Sequence, residues 1–182
     1  MILRVPKWEQ TDARHFVDFW AQQYSDRLEH LYEQNINRPL TEERVWSLFR
    51  WKNGTERIAR QKAESIQTNY LAELGRTPVL RNIDDGRAYL AQLRGGPIWN
   101  IFWLHCLRPE LFPIFDQHTY RAMACIEQLE PRELPDARRR KIEIYLGQFI
   151  PFRRNFGDAD LRSVDKALFA YGRFLKWGFA GR

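Results

Sequence analysis

Apolar residues recur along this chain at spacings of three and four, and strand-like alternation is scarce, so the pattern predicts helices from end to end. Thr11-Asp12 can cap a first helix reaching about His30, with Phe16, Phe19 and Trp20, then Tyr24, Leu28 and Leu31, on one side. Thr41 can cap a second, carrying Val45, Leu48 and Phe49 and stopping at Asn53-Gly54. A long polar third helix is expected from Thr55 to about Leu74, with Gly75 as its stop. Asp84 or Asp85 opens a fourth that ends at Gly95-Gly96, and Pro97 suits the first turn of a fifth running to Leu107. After the loop 108–116 a sixth is expected from Gln117 to about Leu129, a seventh from Pro135-Asp136 through Gln148, and a last from 158–160 to just before Gly178. The tail after Trp177 is expected to fray. With no internal repeat and no linker long enough to separate domains, residues 1–182 read as one all-α domain.

Composition narrows the class only a little. Hydrophobic residues make up 44% and aromatics 14%, enough for a sizeable core, which excludes a disordered chain. A net charge of +6 favours a polyanionic partner, although many basic enzymes never meet nucleic acid. Cys106 and Cys125 form no C-x-x-C pair, so neither a disulfide framework nor a zinc or iron–sulfur ligand set is expected. Residues 1–10 lack the apolar centre of a signal peptide, and the run Ile101-Phe102-Trp103-Leu104 is far too short to span a bilayer. A soluble protein of the cytoplasm, or of the nucleus in a eukaryote, is the expectation.

Candidate chemistry concentrates between Leu93 and Met123. Gly95-Gly96 ends one helix and Pro97 begins the next, which leaves unpaired amides at the positive end of a helix dipole, a place for a phosphate. A plain turn is the commoner meaning of an isolated Gly-Gly. Asp116 follows Ile114-Phe115 at a helix start, where aspartate is a favoured cap. It is equally a carboxylate at an apolar pocket mouth, able to stabilise positive charge or take a proton from water. The two roles are compatible, because a cap fixes the side chain in place.

These segments carry a resemblance. Leu93-Arg94-Gly95-Gly96-Pro97-Ile98-Trp99-Asn100-Ile101 resembles a degenerate form of the hairpin L-P-G-V-G-R-K-T-A of the helix-hairpin-helix DNA glycosylases. Phe112-Pro113-Ile114-Phe115-Asp116 resembles their Gly/Pro-rich loop and aspartate, and 112–123 is similar to the F-P-I-L-D-G-N-V-x-R-V pattern of adenine-mismatch members. Asp116-Gln117-His118 also resembles the D-T-H of endonuclease III-type enzymes, and 167–173 the late helix with L-x-x-x-G-R. The likeness covers roughly 85–176. It implies a two-lobed helical domain that acts on double-stranded DNA, flips a damaged, mismatched or modified base into a cleft and needs no cofactor; the oligomeric state stays open, with a monomer expected. Asp116 would be the catalytic carboxylate, Trp99 and His118 would meet the base, and Gly95, Gly96 and Arg121 would meet the DNA backbone. Pro97 stands where the family has a second hairpin glycine, which removes an amide. Trp99 replaces the lysine of the strand-cleaving members, so no imine can form at that position and a monofunctional enzyme is implied. The four-cysteine cluster of the iron–sulfur members is absent.

Three further features stand on their residues alone. Arg138-Arg139-Arg140-Lys141 is the densest basic run, readable as a phosphate contact or as a solvated helical face. Arg50-Trp51-Lys52-Asn53-Gly54 mixes charge, aromatic and turn residues, and either reaches toward the pocket or simply stops a helix. His105 and His118 have no carboxylate or cysteine at helical spacing to complete a metal set, so no metal is expected. A non-catalytic member of the fold that binds DNA or protein is the alternative, and an unrelated helical bundle the third.

Overall fold

The computed structural model describes residues 11–76, 78–128 and 130–179, without the side chains of 177–179. Every regular element among these residues is helical. In chain order they are α1 (Ala13–Gln22), α2 (Glu29–Glu33), α3 (Glu42–Asn53), α4 (Arg60–Asn69), α5 (Ile83–Gln92), α6 (Pro97–Leu107), α7 (Gln117–Gln128), α8 (Arg138–Ile144), α9 (Ile150–Arg153) and α10 (Leu161–Phe179). No helix among the described residues is long and apolar enough to cross a membrane.

Local chemistry explains most boundaries. Asp12 caps α1 through the His15 amide, Thr41 caps α3, and α3 ends on Gly54 in the left-handed region at φ 72°. The first helix does not reach His30. It stops at Gln22, and Asp26 turns the chain by accepting the Leu28 amide before the short α2. Thr55 does not begin the third helix; its hydroxyl donates to the Arg57 carbonyl, and α4 starts at Arg60. Asn82, rather than Asp84 or Asp85, caps α5. The seventh expected helix continues past Gln148. It widens into a π-turn over 145–149, a geometry that accommodates Pro151 and its missing amide, and runs on through α9. The last helix carries straight on through Gly178. Residues 1–10 and the tail beyond Phe179 lie outside the described residues.

Helix α6 is the axis of the core. Residues 100–106 are all buried, as expected of a helix that is apolar all round. Its two buried polar side chains are tied to other helices. Asn100 accepts a hydrogen bond from Tyr70 (2.8 Å), and His105 meets Tyr32 (2.7 Å). Helices α1 and α7 pack on α10, and the α7–α10 approach is close enough that a Cβ on Gly172 would lie 1.9 Å from the His118 carbonyl oxygen. Gly86 on α5 is matched to the Phe112 ring in the same way, at 2.4 Å. These two glycines fix the loop before Asp116 and the helix after it.

Candidate active site

Asp116 is held from several sides. The Phe112 carbonyl accepts only, so His105 donates through Nδ1 (2.7 Å) and takes the Tyr32 hydroxyl on Nε2. Burial, the dominant influence, then pushes the His105 pKa down to about 3 and keeps the ring neutral. Tyr145 donates to the Pro113 carbonyl (3.1 Å), and Phe115 lies against Tyr145 and Phe149. With 112–115 pinned, Asp116 starts α7 as a cap: Oδ1 accepts the amides of His118 (2.9 Å) and Thr119 (3.1 Å), and the Thr119 hydroxyl accepts the Asp116 amide. Oδ2 receives Lys52 Nζ at 3.1 Å, an ion pair in which the lysine side chain is 7% exposed. Lys52 also reaches the Phe115 carbonyl and lies 5.6 Å from the centre of the Phe102 ring.

Asp116 and Lys52 line a cavity of about 310 Å³. Burial pushes the Asp116 carboxyl up, but Lys52 and the Thr119 amide outweigh it, and the group stays below the usual carboxylate range. His118 lines the same cavity, its ring 4.8 Å from Phe169. Arg121 Nη1 lies 3.2 Å from His118 Nδ1. Burial holds the His118 pKa down, against the pull of Asp116. Trp51 and Trp99 give the cavity aromatic walls, and Trp99 is further packed on Phe49 and approached by Lys62. Gln117 accepts the Leu134 amide on its carbonyl oxygen, leaving its buried Nε2 without a partner beside the cavity.

The cavity lining also includes charged side chains of α10. Arg162 grips both oxygens of Glu29 through Nη2 (2.6 and 2.7 Å) and one of them through Nε (3.1 Å), and lies 4.2 Å from the Tyr32 ring centre. Tyr24 (2.7 Å) and Trp51 (3.2 Å) donate to the same carboxylate. Asp165, on the same helix, also lines the cavity.

The residues expected to act together are only partly assembled. Asp116, Trp99 and His118 share the cavity. Gly95, at φ 90°, and Gly96, the N-cap of α6, lie outside its lining; Gly95 packs beside Ser65 and Asn69 of α4. Arg121 is buried, with Nε and Nη2 on Glu133 (3.0 and 2.7 Å) and Nη1 on the Gly172 carbonyl (2.9 Å), so its donors are occupied inside the fold. Arg138 turns inward onto the carbonyls that end α5, bonding Leu93 (2.7 Å) and Gly95. Arg139 and Arg140 are exposed and flank Glu143.

Lys52, Tyr24, Arg162 and Asp165 complete the site and are not among the residues that the resemblance implies. The mixed run 50–54 signalled Lys52, since Trp51, Lys52, Asn53 and Gly54 all line the cavity as well as closing α3. The helical spacing of Arg162, Asp165 and Phe169, which share one face of α10 and all reach the cavity, is the signal that could have found the others. Position 99 holds tryptophan and not lysine, yet α3 brings an amine to Asp116. Among the described residues no group of three or more His, Cys, Asp or Glu side chains is placed to hold a metal ion. Family models, curated proteins and solved structures were all compared with this chain, and none matches.

Proposed function

We propose that this chain is a monofunctional DNA N-glycosylase of helix-hairpin-helix type, which flips a base out of duplex DNA and hydrolyses its bond to the sugar. One observation carries the reading: an aspartate held ionised by a buried lysine and two amides at the wall of an aromatic-lined cavity. About 310 Å³ sits at the lower end of the roughly 300–1,000 Å³ of small-molecule sites, a size suited to a single base rather than a larger ligand. Trp99 gives the cavity an aromatic wall for a base to stack on, and His118 gives it an imidazole. Asp116 then lies where a carboxylate can stabilise the positive charge that grows on the sugar as the base departs. Lys52 fixes that carboxylate and keeps it charged. With Nζ committed to Asp116 and the Phe115 carbonyl, it supports hydrolysis and not imine formation.

A second reading, a DNA- or protein-binding module without catalysis, is favoured by the same bonds seen differently: both Asp116 oxygens are already satisfied within the protein. The two separate cleanly. Purified protein is incubated with duplexes bearing single damaged, mismatched or methylated bases and then treated with alkali. Strand breaks at the modified position support the glycosylase, while tight binding with no break on any duplex supports the module.

A further inference from the structure

Arg162 brings a guanidinium to the cavity lining, and the fold uses only part of it. Nε and Nη2 are committed to Glu29, at 2.6–3.1 Å. Among the described residues Nη1 has no hydrogen-bond partner, and it is not one of the buried polar atoms left without one. The side chain is 20% exposed, so Nη1 is its accessible end. Three rings hold the plane of the group: its central carbon lies 4.2 Å from the centre of Tyr32, 5.2 Å from Trp51 and 5.3 Å from Tyr24. The direction of Nη1 is therefore set before any ligand arrives. Charge balance alone does not call for a guanidinium here, because Lys166 also reaches Glu29, at 3.2 Å. What the planar fork adds is a fixed donor with nothing to donate to.

The neighbouring charges select what that donor can take. Arg162 and Lys166 are balanced by Glu29 and Glu33, and Lys52 by Asp116. Asp26 and Asp165 line the cavity as well. An anion would meet cations already neutralised and further carboxylates beside them, so Nη1 suits a neutral acceptor. We infer that Arg162 is the specificity residue of this site, its Nη1 donating to an exocyclic carbonyl oxygen of the flipped base. The inference rests on the glycosylase reading above and names the class of base, one bearing a ring carbonyl, as hypoxanthine and uracil do. Arginine donates to the guanine O6 in the same way where proteins read duplex DNA. Adenine carries an amino group where hypoxanthine carries its oxygen. Two donors would then face each other, and Nη1 would give up water without gaining a partner. A site built around such a bond rejects the analogue lacking it far more strongly than a pocket that only fits its shape. The departing base is thus not the adenine of the members whose loop residues 112–123 resemble.

One arm of the test needs no catalysis. Wild-type protein labelled with ¹⁵N-arginine is titrated with free hypoxanthine and, separately, with free adenine. The Arg162 guanidinium resonances should move with hypoxanthine and stay in place with adenine. Equal movement with both, or movement with neither, overturns the inference, whatever the chain cleaves. The other arm uses Arg162→Lys, which keeps a cation for Glu29 and removes Nη1, on duplexes bearing one hypoxanthine or one mismatched adenine. The wild type should release hypoxanthine on the order of 100-fold faster than adenine, and the variant should release the two within about 3-fold of each other. A melting curve and the affinity for an unmodified duplex report that the variant is folded; if it is not, the first arm decides alone. A folded variant that keeps the wild-type preference, or a wild type with no preference, overturns the inference and leaves the glycosylase reading standing. A wild-type chain whose Arg162 answers hypoxanthine but which releases no base from any duplex overturns the glycosylase reading instead, and the carbonyl contact stands.

Discussion

Single residues in this site owe their chemistry to what surrounds them, and His105 shows it most directly. The ring lies between the Tyr32 hydroxyl and the Phe112 carbonyl in a fully buried place, and its pKa is depressed to about 3. A histidine depressed in the folded state stabilises the fold above its unfolded pKa, near 6.5, and that contribution is lost as pH falls toward 3. The expected loss is about 1.4 kcal/mol per pH unit. Asp165 acts in the opposite sense, since its raised carboxyl favours the folded state as pH drops from about 6 toward 3.8. The comparison with a variant therefore isolates the histidine. Between pH 6 and 4.5, the slope of unfolding free energy against pH should be more negative in His105→Gln than in the wild type, by close to one proton. Denaturant titrations at several pH values read this out, and identical slopes would show that His105 does not stay neutral.

At the level of elements, the site depends on two close approaches that glycine permits. Gly172 lets α10 lie against the start of α7, and a methyl group there would sit 1.9 Å from a backbone oxygen that cannot turn away. Gly172→Ala should destabilise the fold by about 3 kcal/mol or more, as overpacking against a rigid neighbour does. Thermal unfolding would show it, and an unchanged midpoint would mean that the helices are not so closely apposed. The same scale explains how far the sequence could be read. Asp116, Trp99 and His118 are legible because they lie in neighbouring elements and their environment is local: a cap, a turn and the first turns of two helices. Lys52 is 64 residues from its partner, so its role depends on how α3 packs, which periodicity does not report. The break after Gln22 was hidden for a related reason, since the apolar spacing continues across it while Asp26 turns the backbone. Arg121 and Arg138 look on sequence like any other surface cations. Glu133 and the exposed end of α5 draw them inward.

For the molecule as a whole, the excess of six positive charges is the property that would bring it to DNA. The basic run divides by where its members point. Arg139 and Arg140 are exposed, so replacing either with alanine should lower by about one the slope of log affinity for a 20-base-pair duplex against log salt. Arg138→Ala should instead lower the unfolding midpoint, because it removes bonds to the Leu93 and Gly95 carbonyls. Fluorescence anisotropy over a salt series, with melting curves beside it, distinguishes the two effects. The proposed reaction depends on Asp116, and its sharpest test is single-turnover base release by Asp116→Asn on whichever duplex the wild type cleaves best. Duplex affinity is measured in parallel. The rate should fall on the order of 100-fold or more, with affinity within about 3-fold of the wild type. A variant that binds as well and releases the base as fast would remove Asp116 from the chemistry.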